Sequence, residues 1–244
     1  MIRVLGVRVD EYTMDESVKI IGDIADDFRR GGAPGQVVTI NPEGVWLALG
    51  DAGLRQLIER AALVTADGAG ILWAAQKLGT PLAERVTGVD LLQRLCAAAA
   101  RDGRSVYLLG SAAGVAEQAA ARLRESYPRL RIAGCDNGYF REREAQAIAA
   151  VAQAAPDILF AGLGMPYQEK WLAAHLSELN CGAAIGVGGS FDVVAGQVRR
   201  APLWLQKLRL EWLWRLAADP KRWRRYLTIP RYMRAVSREA RAKK

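Results

Sequence analysis

Several features that would decide the chemistry of this chain at once are missing from it. There is one histidine, His175, so a histidine-rich metal site is not available. It sits between Ala174 and Leu176 on an expected helix, with no nucleophile elbow to partner it, and a structural role is expected. The three cysteines, Cys96, Cys135 and Cys181, are odd in number, far apart and form no CxxC pair. That excludes a disulfide framework and a zinc ribbon and leaves buried free thiols. No apolar run approaches the ~20 residues that span a bilayer. The N-terminus turns acidic within ten residues and lacks the apolar core of a signal peptide, so a cytosolic location is expected. Neither GxGxxG nor GxxxxGK[ST] occurs, which removes the dinucleotide fingerprint and the Walker loop. No DxD pair occurs either, so a bound diphosphate has no paired aspartates to hold a metal on it.

Charge is present but unevenly placed. Positions 199–244 hold 15 Lys/Arg against three acids, Glu211, Asp219 and Glu239. The preceding 198 residues hold 19 Lys/Arg against 23 acids. Four of the seven tryptophans, Trp204, Trp212, Trp214 and Trp223, lie in the basic end. Cations interleaved with amphipathic rings suit a surface that is anionic and partly apolar. An anionic bilayer face fits best, and single-stranded nucleic acid is the rival. Arg199-Arg200-Ala201-Pro202 marks the boundary. An α/β core is expected over 1–198 and a membrane-associating appendage of two or three short helices over 199–244. Asp219-Pro220 and Ile229-Pro230 are read as its interruptions.

The body alternates apolar strands with amphipathic helices. Strands are expected at 37–41, 62–68, 105–110, 131–140 and 156–164, and from 182 into a glycine turn near 196. Helices are expected at 43–61, 68–79, 88–103, up to Ser126, 141–155 and 166–180. This alternation predicts right-handed crossovers and a mainly parallel, Rossmann-like sheet flanked by helices.

In open parallel sheets, ligands bind beyond the carboxyl ends of the strands. That rule selects Thr39 and Asn41, Thr65 to Gly68, Gly110 and Ser111, Gly134 to Tyr139, Gly162 and Gly164, and Gly189 and Ser190. Glycine turns that open onto helix starts favour phosphate, through backbone N–H groups and close approach. As a set they suggest a nucleotide or nucleotide-sugar; singly, each is a tight turn. Asp67, between a strand and Gly68, reads equally as a general base or a helix cap. Arg85 would neutralise a departing phosphate or pair with Glu84. Gln168 reads as a ligand contact, Glu169 as a partner of the helix dipole, and Asp192 as a hold on a ribose or sugar hydroxyl or as a cap.

Six segments in fixed order carry a resemblance: TINPEG, VTADGAGILWAAQKLG, PLAERVTGVDLL, VYLLG with a GYF turn, PDILFAGLGMPYQEKW, and IGVGGSFDVVAGQVRRAPLWLQKLRLEWLWRL. Together they resemble the WecG/TagA/CpsF glycosyltransferases, glycosyltransferase family 26. The resemblance implies an inverting transfer of N-acetylmannosamine or a related sugar from a UDP donor. The implied acceptor is a sugar on polyprenyl diphosphate at the inner face of the cell membrane, with no cofactor and no nucleic acid. It implies Asp67 as catalytic base and Arg85 facing the sugar or diphosphate. It places Thr39, Asn41 and Gln168 in the pocket and brings Arg215, Arg222 and Arg225 to the lipid diphosphate. Trp212 and Trp223 are expected at the membrane. Pro42 and Met165 depart from the family pattern, which more often has Ala and a small residue there. A transferase with a soluble acceptor is the near alternative, and packing of the tryptophan-rich helices between subunits is left open.

Overall fold

The computed structural model describes residues 1–202, 205, 214 and 228–242. The chain opens with an antiparallel hairpin, β1 (Ile2–Val4) and β2 (Val7–Val9), turned by Leu5 and Gly6 at positive φ. Helix α1 (Met14–Arg29) follows, started by a capping box between Thr13 and Glu16. Sequence reading had assigned neither element.

Next come β3 (Gly35–Ile40), α2 (Pro42–Gly50), α3 (Ala52–Arg60), β4 (Leu63–Ala66) and α4 (Ala69–Lys77). They lead to α5 (Gly88–Asp102), β5 (Ser105–Gly110), α6 (Val115–Ser126) and β6 (Arg131–Asp136). A short 3-10 turn precedes α7 (Glu144–Ala154), and then β7 (Ile158–Gly162), α8 (Tyr167–His175), β8 (Ala183–Gly186) and α9 (Ser190–Val194). The last described helix is α10 (Thr228–Ala242).

The expected parallel sheet is present. Its six strands run in the order β4-β3-β8-β7-β5-β6, and every pairing is parallel. Strands β3 and β5 are buried at every residue, which is why they read as unbroken apolar runs. Alternate strand residues serve opposite faces. Val37, Leu63, Leu108 and Phe160 join the cluster built by α1, α5, α6 and α9. Val38 and Val64 pack with the hairpin, α2, α3, α4 and α10, whereas Leu109 and Leu159 pack with α7 and α8. The architecture is three layers, helix–sheet–helix.

Two expectations need correction. The helix expected over 43–61 is two helices, because the Asp51 side chain caps a new start by accepting from Leu54 N at 2.9 Å. The stretch from 182 leaves the sheet after Gly186 and forms α9, the turn at Gly188 intervening. Pro230 lies in the first turn of α10, where a helix start has no N–H bond for proline to remove; the basic helix expected before it lies outside the described residues.

The last helix is also part of the core. Tyr232 and Val236 are fully buried against α2 and α4, the Tyr232 hydroxyl donates to Gly70 O at 3.2 Å, and Leu5 N donates to Glu239 Oε2 at 3.1 Å. The hydrophobic interior therefore does not end at Arg199. The positions expected to meet lipid, Arg215, Arg222, Arg225, Trp212 and Trp223, lie outside the described residues.

Candidate active site

The carboxyl ends of all six strands lie along one edge. From β4 to β6 that edge crosses five inter-strand gaps, about 24 Å at ~4.8 Å each. The opposite edge is structural. There the buried Asp157 accepts from Arg29, Ser105 N and Ser105 Oγ, tying α1, β5 and β7 together.

Asp67 follows β4. Its backbone N–H extends the ladder to Ile40 O at 2.8 Å, and its Oδ2 accepts from Gly88 N at 3.2 Å. The carboxylate thus faces the N-terminus of α5, a neighbouring helix, and does not cap α4. Gly88 sits where a side chain would crowd the site: an added Cβ would lie 3.4 Å from Ser190 Oγ and 3.5 Å from Thr39 Oγ1. Thr39 is buried and donates to Gly186 O at 2.7 Å, binding β3 to β8. Ser190 is buried and donates to Val187 O at 2.6 Å. Asn41 caps α2 by accepting from Gly44 N at 2.8 Å.

Pro42 and Met165, the two departures from the family pattern, pack around this corner. An added Cβ on Gly70 would stand 2.4 Å from Pro42 Cγ, and one on Gly44 would overlap the Met165 sulfur. The Pro42 ring thus braces the turn that follows Asp67.

Arg85 is half-buried just before α5. Glu84, its expected surface partner, instead accepts from Met14 N at 2.8 Å. Asp90, on the first turn of α5, receives both ends of the Arg200 guanidinium at 2.5 and 2.6 Å. Burial alone would raise the Asp90 carboxyl; the Arg200 fork, the Thr87 hydroxyl and the charge of Arg85 hold it below its usual value. Arg200 thereby fastens the start of the basic end beside Arg85.

The centre of the edge is glycine backbone. Gln168 is buried, and its Oε1 accepts from Gly164 N and from Gly188 N, each at 3.1 Å. The amide oxygen expected to meet a ligand is therefore spent on the turns after β7 and β8. Gly162 packs beneath Phe191, where a Cβ would lie 2.9 Å from the ring.

Gly110 leaves β5 at φ 144°, and an added Cβ would stand 2.5 Å from the Gly162 carbonyl. Neither that φ nor that approach admits a side chain. Gly110→Ala is expected to cost at least about 2 kcal/mol in denaturant unfolding. Ser111 follows at φ 58°, a conformation that strains a non-glycine residue and gathers at functional sites. Its N–H donates to Gly162 O at 2.9 Å, and its hydroxyl reaches Asp192 Oδ2 at 3.4 Å. Gly138 N donates to Ser111 O at 2.8 Å, which brings the turn after β6 alongside and leaves Tyr139 77% exposed at the far end. Asp192 lies within α9, close to Gly189, and is half-buried.

Contacts therefore run unbroken from Asp67 through Gly88, Thr39, Ser190, Gly188, Gly162 and Ser111 to the turn before Tyr139. The edge offers the Asp67 carboxylate at one end, glycine turns that let a ligand approach the backbone in the middle and an exposed ring at the other. His175 lies on the far side of α8, its ring 5.2 Å from Trp171 and its Nδ1 3.2 Å from Glu178 Oε1. Asp90 with Arg200 was not found from sequence. The run of two arginines before Ala-Pro was visible, but not its distant partner.

Comparison with known proteins adds to the geometry. A sequence model described as the glycosyl transferase WecG/TagA/CpsF family matches residues 2–244. A protein of Bacillus subtilis (strain 168), named N-acetylglucosaminyldiphosphoundecaprenol N-acetyl-beta-D-mannosaminyltransferase, is 34% identical over 208 residues, 85% of this chain and 81% of its own. A protein of the same name from Staphylococcus aureus (strain NCTC 8325 / PS 47) is 33% identical over 239 residues, 98% of this chain and 92% of its own. Match and motif order agree from β1 to the end of the chain, and this protein belongs to the WecG/TagA/CpsF family of glycosyltransferases.

Proposed function

We propose that this glycosyltransferase moves N-acetylmannosamine or a related sugar from a UDP donor onto a sugar carried by polyprenyl diphosphate, with inversion and without a metal. The observation that carries the reading is the position of Asp67. Its carboxylate stands at the carboxyl edge of the sheet, in one row with glycine turns that let a diphosphate approach the backbone. The acceptor class is supported by the names of the two relatives.

Asp67 takes the proton of the acceptor hydroxyl as that oxygen attacks the anomeric carbon. The bond from that carbon to the diphosphate oxygen breaks on the opposite face, so the configuration inverts. UDP leaves with the bonding pair. Its charge is met by Arg85, beside the glycine turns of the strand ends, as a preorganised cation meets a developing anion. Protonated Asp67 returns its proton to water. Thr39 and Asn41 border the sugar, and Ser111, Tyr139 and Asp192 border the nucleotide. The chain has no DxD pair to hold a metal on the diphosphate, and the basic groups take over that role. Arg215, Arg222 and Arg225 serve the lipid diphosphate, and Trp212 and Trp223 the anionic membrane face, where the protein acts peripherally in envelope polysaccharide or teichoic acid synthesis. No described helix is long and apolar enough to cross a membrane.

The test is UDP release from a panel of UDP-sugars with a lipid-diphosphate N-acetylglucosamine acceptor, in EDTA. Acceptor-dependent release from UDP-N-acetylmannosamine, undiminished by EDTA, is the expected outcome. Release that needs an added divalent cation would remove the metal-independent step. Equal release without acceptor would remove the lipid-linked acceptor.

A further inference from the structure

Glu169 follows Gln168 in the first turn of α8 and is 0% exposed. Its Oε1 accepts from Gln168 Nε2 at 2.7 Å, and its Oε2 has no hydrogen-bond partner. Its own carbonyl accepts from Gln36 Nε2 on β3 at 2.9 Å. Strand β8 closes over the pair at Gly186, where an added Cβ would lie 2.5 Å from Gln168 Nε2 and 2.9 Å from Glu169 Oε1.

A side-chain amide has two unlike ends. Gly164 N and Gly188 N are donors, so they require the oxygen of Gln168. Turning the amide over would set an NH2 group against both donors and lose both bonds. The nitrogen end is held by Glu169 Oε1. The acid therefore decides which way the amide points, and the amide decides how the turns after β7 and β8 stand to each other.

We propose that Glu169 is a positioning residue for sugar transfer, acting through Gln168 to fix the strand-end turns at 162–164 and 188–190 between which the donor diphosphate lies. The proposal rests on the transferase reading above for its consequence, not for its geometry.

The surroundings favour a neutral acid. Helix α8 packs against α3, β3, β7 and β8. Of these, α3 carries Arg55, Glu59 and Arg60, and the three strands carry no charge. On α8 itself Lys170 is taken by Asp51, and on α7 Glu144 accepts from Trp171 Nε1. Burial pushes the Glu169 carboxyl up to about 7, against the bonds from Gln168 and the helix backbone; no charged group acts on it. The unfolded chain loses this proton near pH 4.5 and the folded chain near 7. Stability from this group is therefore full below about pH 4.5 and falls as pH rises to about 7.

Glu169→Gln keeps an acceptor and removes the charge; Glu169→Leu removes both. Three readouts decide: amide exchange at Gly164 and Gly188, donor KM against kcat, and Tm against pH. Glu169→Gln is expected to keep both amides protected, hold KM within about twofold and lose the fall in Tm between pH 4.5 and 7. Glu169→Leu is expected to lose at least about tenfold in protection at both amides and to raise donor KM about tenfold, with kcat changed less. If Glu169→Leu does not fold, Glu169→Asp, whose carboxylate falls short of Gln168, takes its place. Unchanged protection in Glu169→Leu or Glu169→Asp, or equal defects in all variants, would overturn the proposal. If the wild type transfers no sugar, the transferase reading fails, and amide exchange still decides whether Glu169 orients Gln168.

Discussion

Asp67→Asn is expected to lower acceptor-dependent UDP release by about a thousandfold, within the range measured for removal of a general base. Asparagine keeps an oxygen to accept from Gly88 N, now 3.2 Å from Asp67 Oδ2. The strand-end geometry is therefore retained, and Tm is expected to stay within about 2 °C, less than 1 kcal/mol for a chain this long. What is lost is the ability to take a proton. Donor binding, measured by calorimetry with UDP, should change little, because the proposed nucleotide position is toward the Ser111 end. A variant that retains release within threefold of wild type would remove Asp67 from the chemistry and leave it as a clasp on α5.

Tyr232→Ala is expected to cost about 3 kcal/mol, since it leaves a ring-sized cavity and orphans a hydroxyl partner. For a chain of this length that lowers Tm by roughly 9 °C, taking 2–4 °C per kcal/mol. Differential scanning calorimetry would measure it, and a shift under 2 °C would contradict the packing of α10 on α2 and α4. Removing everything after residue 202 should cost more, because the buried Val236 and Ala240 are lost together with Tyr232. Truncation of the basic end is consequently a poor test of what its charges do. Replacing Arg215, Arg222 and Arg225 with Gln in the full chain keeps Tyr232, Val236 and Ala240. Transfer to a lipid-diphosphate acceptor should then fall while Tm holds.

The sheet was legible because a parallel strand buried on both faces, such as Ser105–Gly110, has only one reading. Helix α5 was legible over 88–103 from its period and from Gly103, which ends it at φ 72°; the Thr87 cap shows only in the structure. The hairpin at Ile2–Val9 was harder. Its turn uses Leu5 at φ 52° where Asn or Asp would have been the signal, and its strands are three residues each. Helix α10 was not assigned, because the same proline ring that stops one helix also starts the next.

The site was legible as a set of strand ends and not as a set of contacts. Asp67 and Gly88 are 21 positions apart, and nothing in their spacing joins them. Gln168 and Glu169 open a helix, where polar residues normally meet water. Burial of both depends on Gly186, whose missing side chain makes room for them.

The basic segment at 203–227 lies between two fastenings, the Arg200 fork on Asp90 and the burial of Tyr232 beneath α2 and α4. A segment tied at both ends cannot be diluted away from its own protein. On the proposed function, its groups would act at the strand edge at an effective concentration set by the tether, on the order of millimolar for short ones. A diphosphate contact of the proposed kind, too weak to form between separate molecules, would then be occupied. The two anchors act as a concentrating device, and breaking either one should weaken such contacts without altering a single atom of the contact itself.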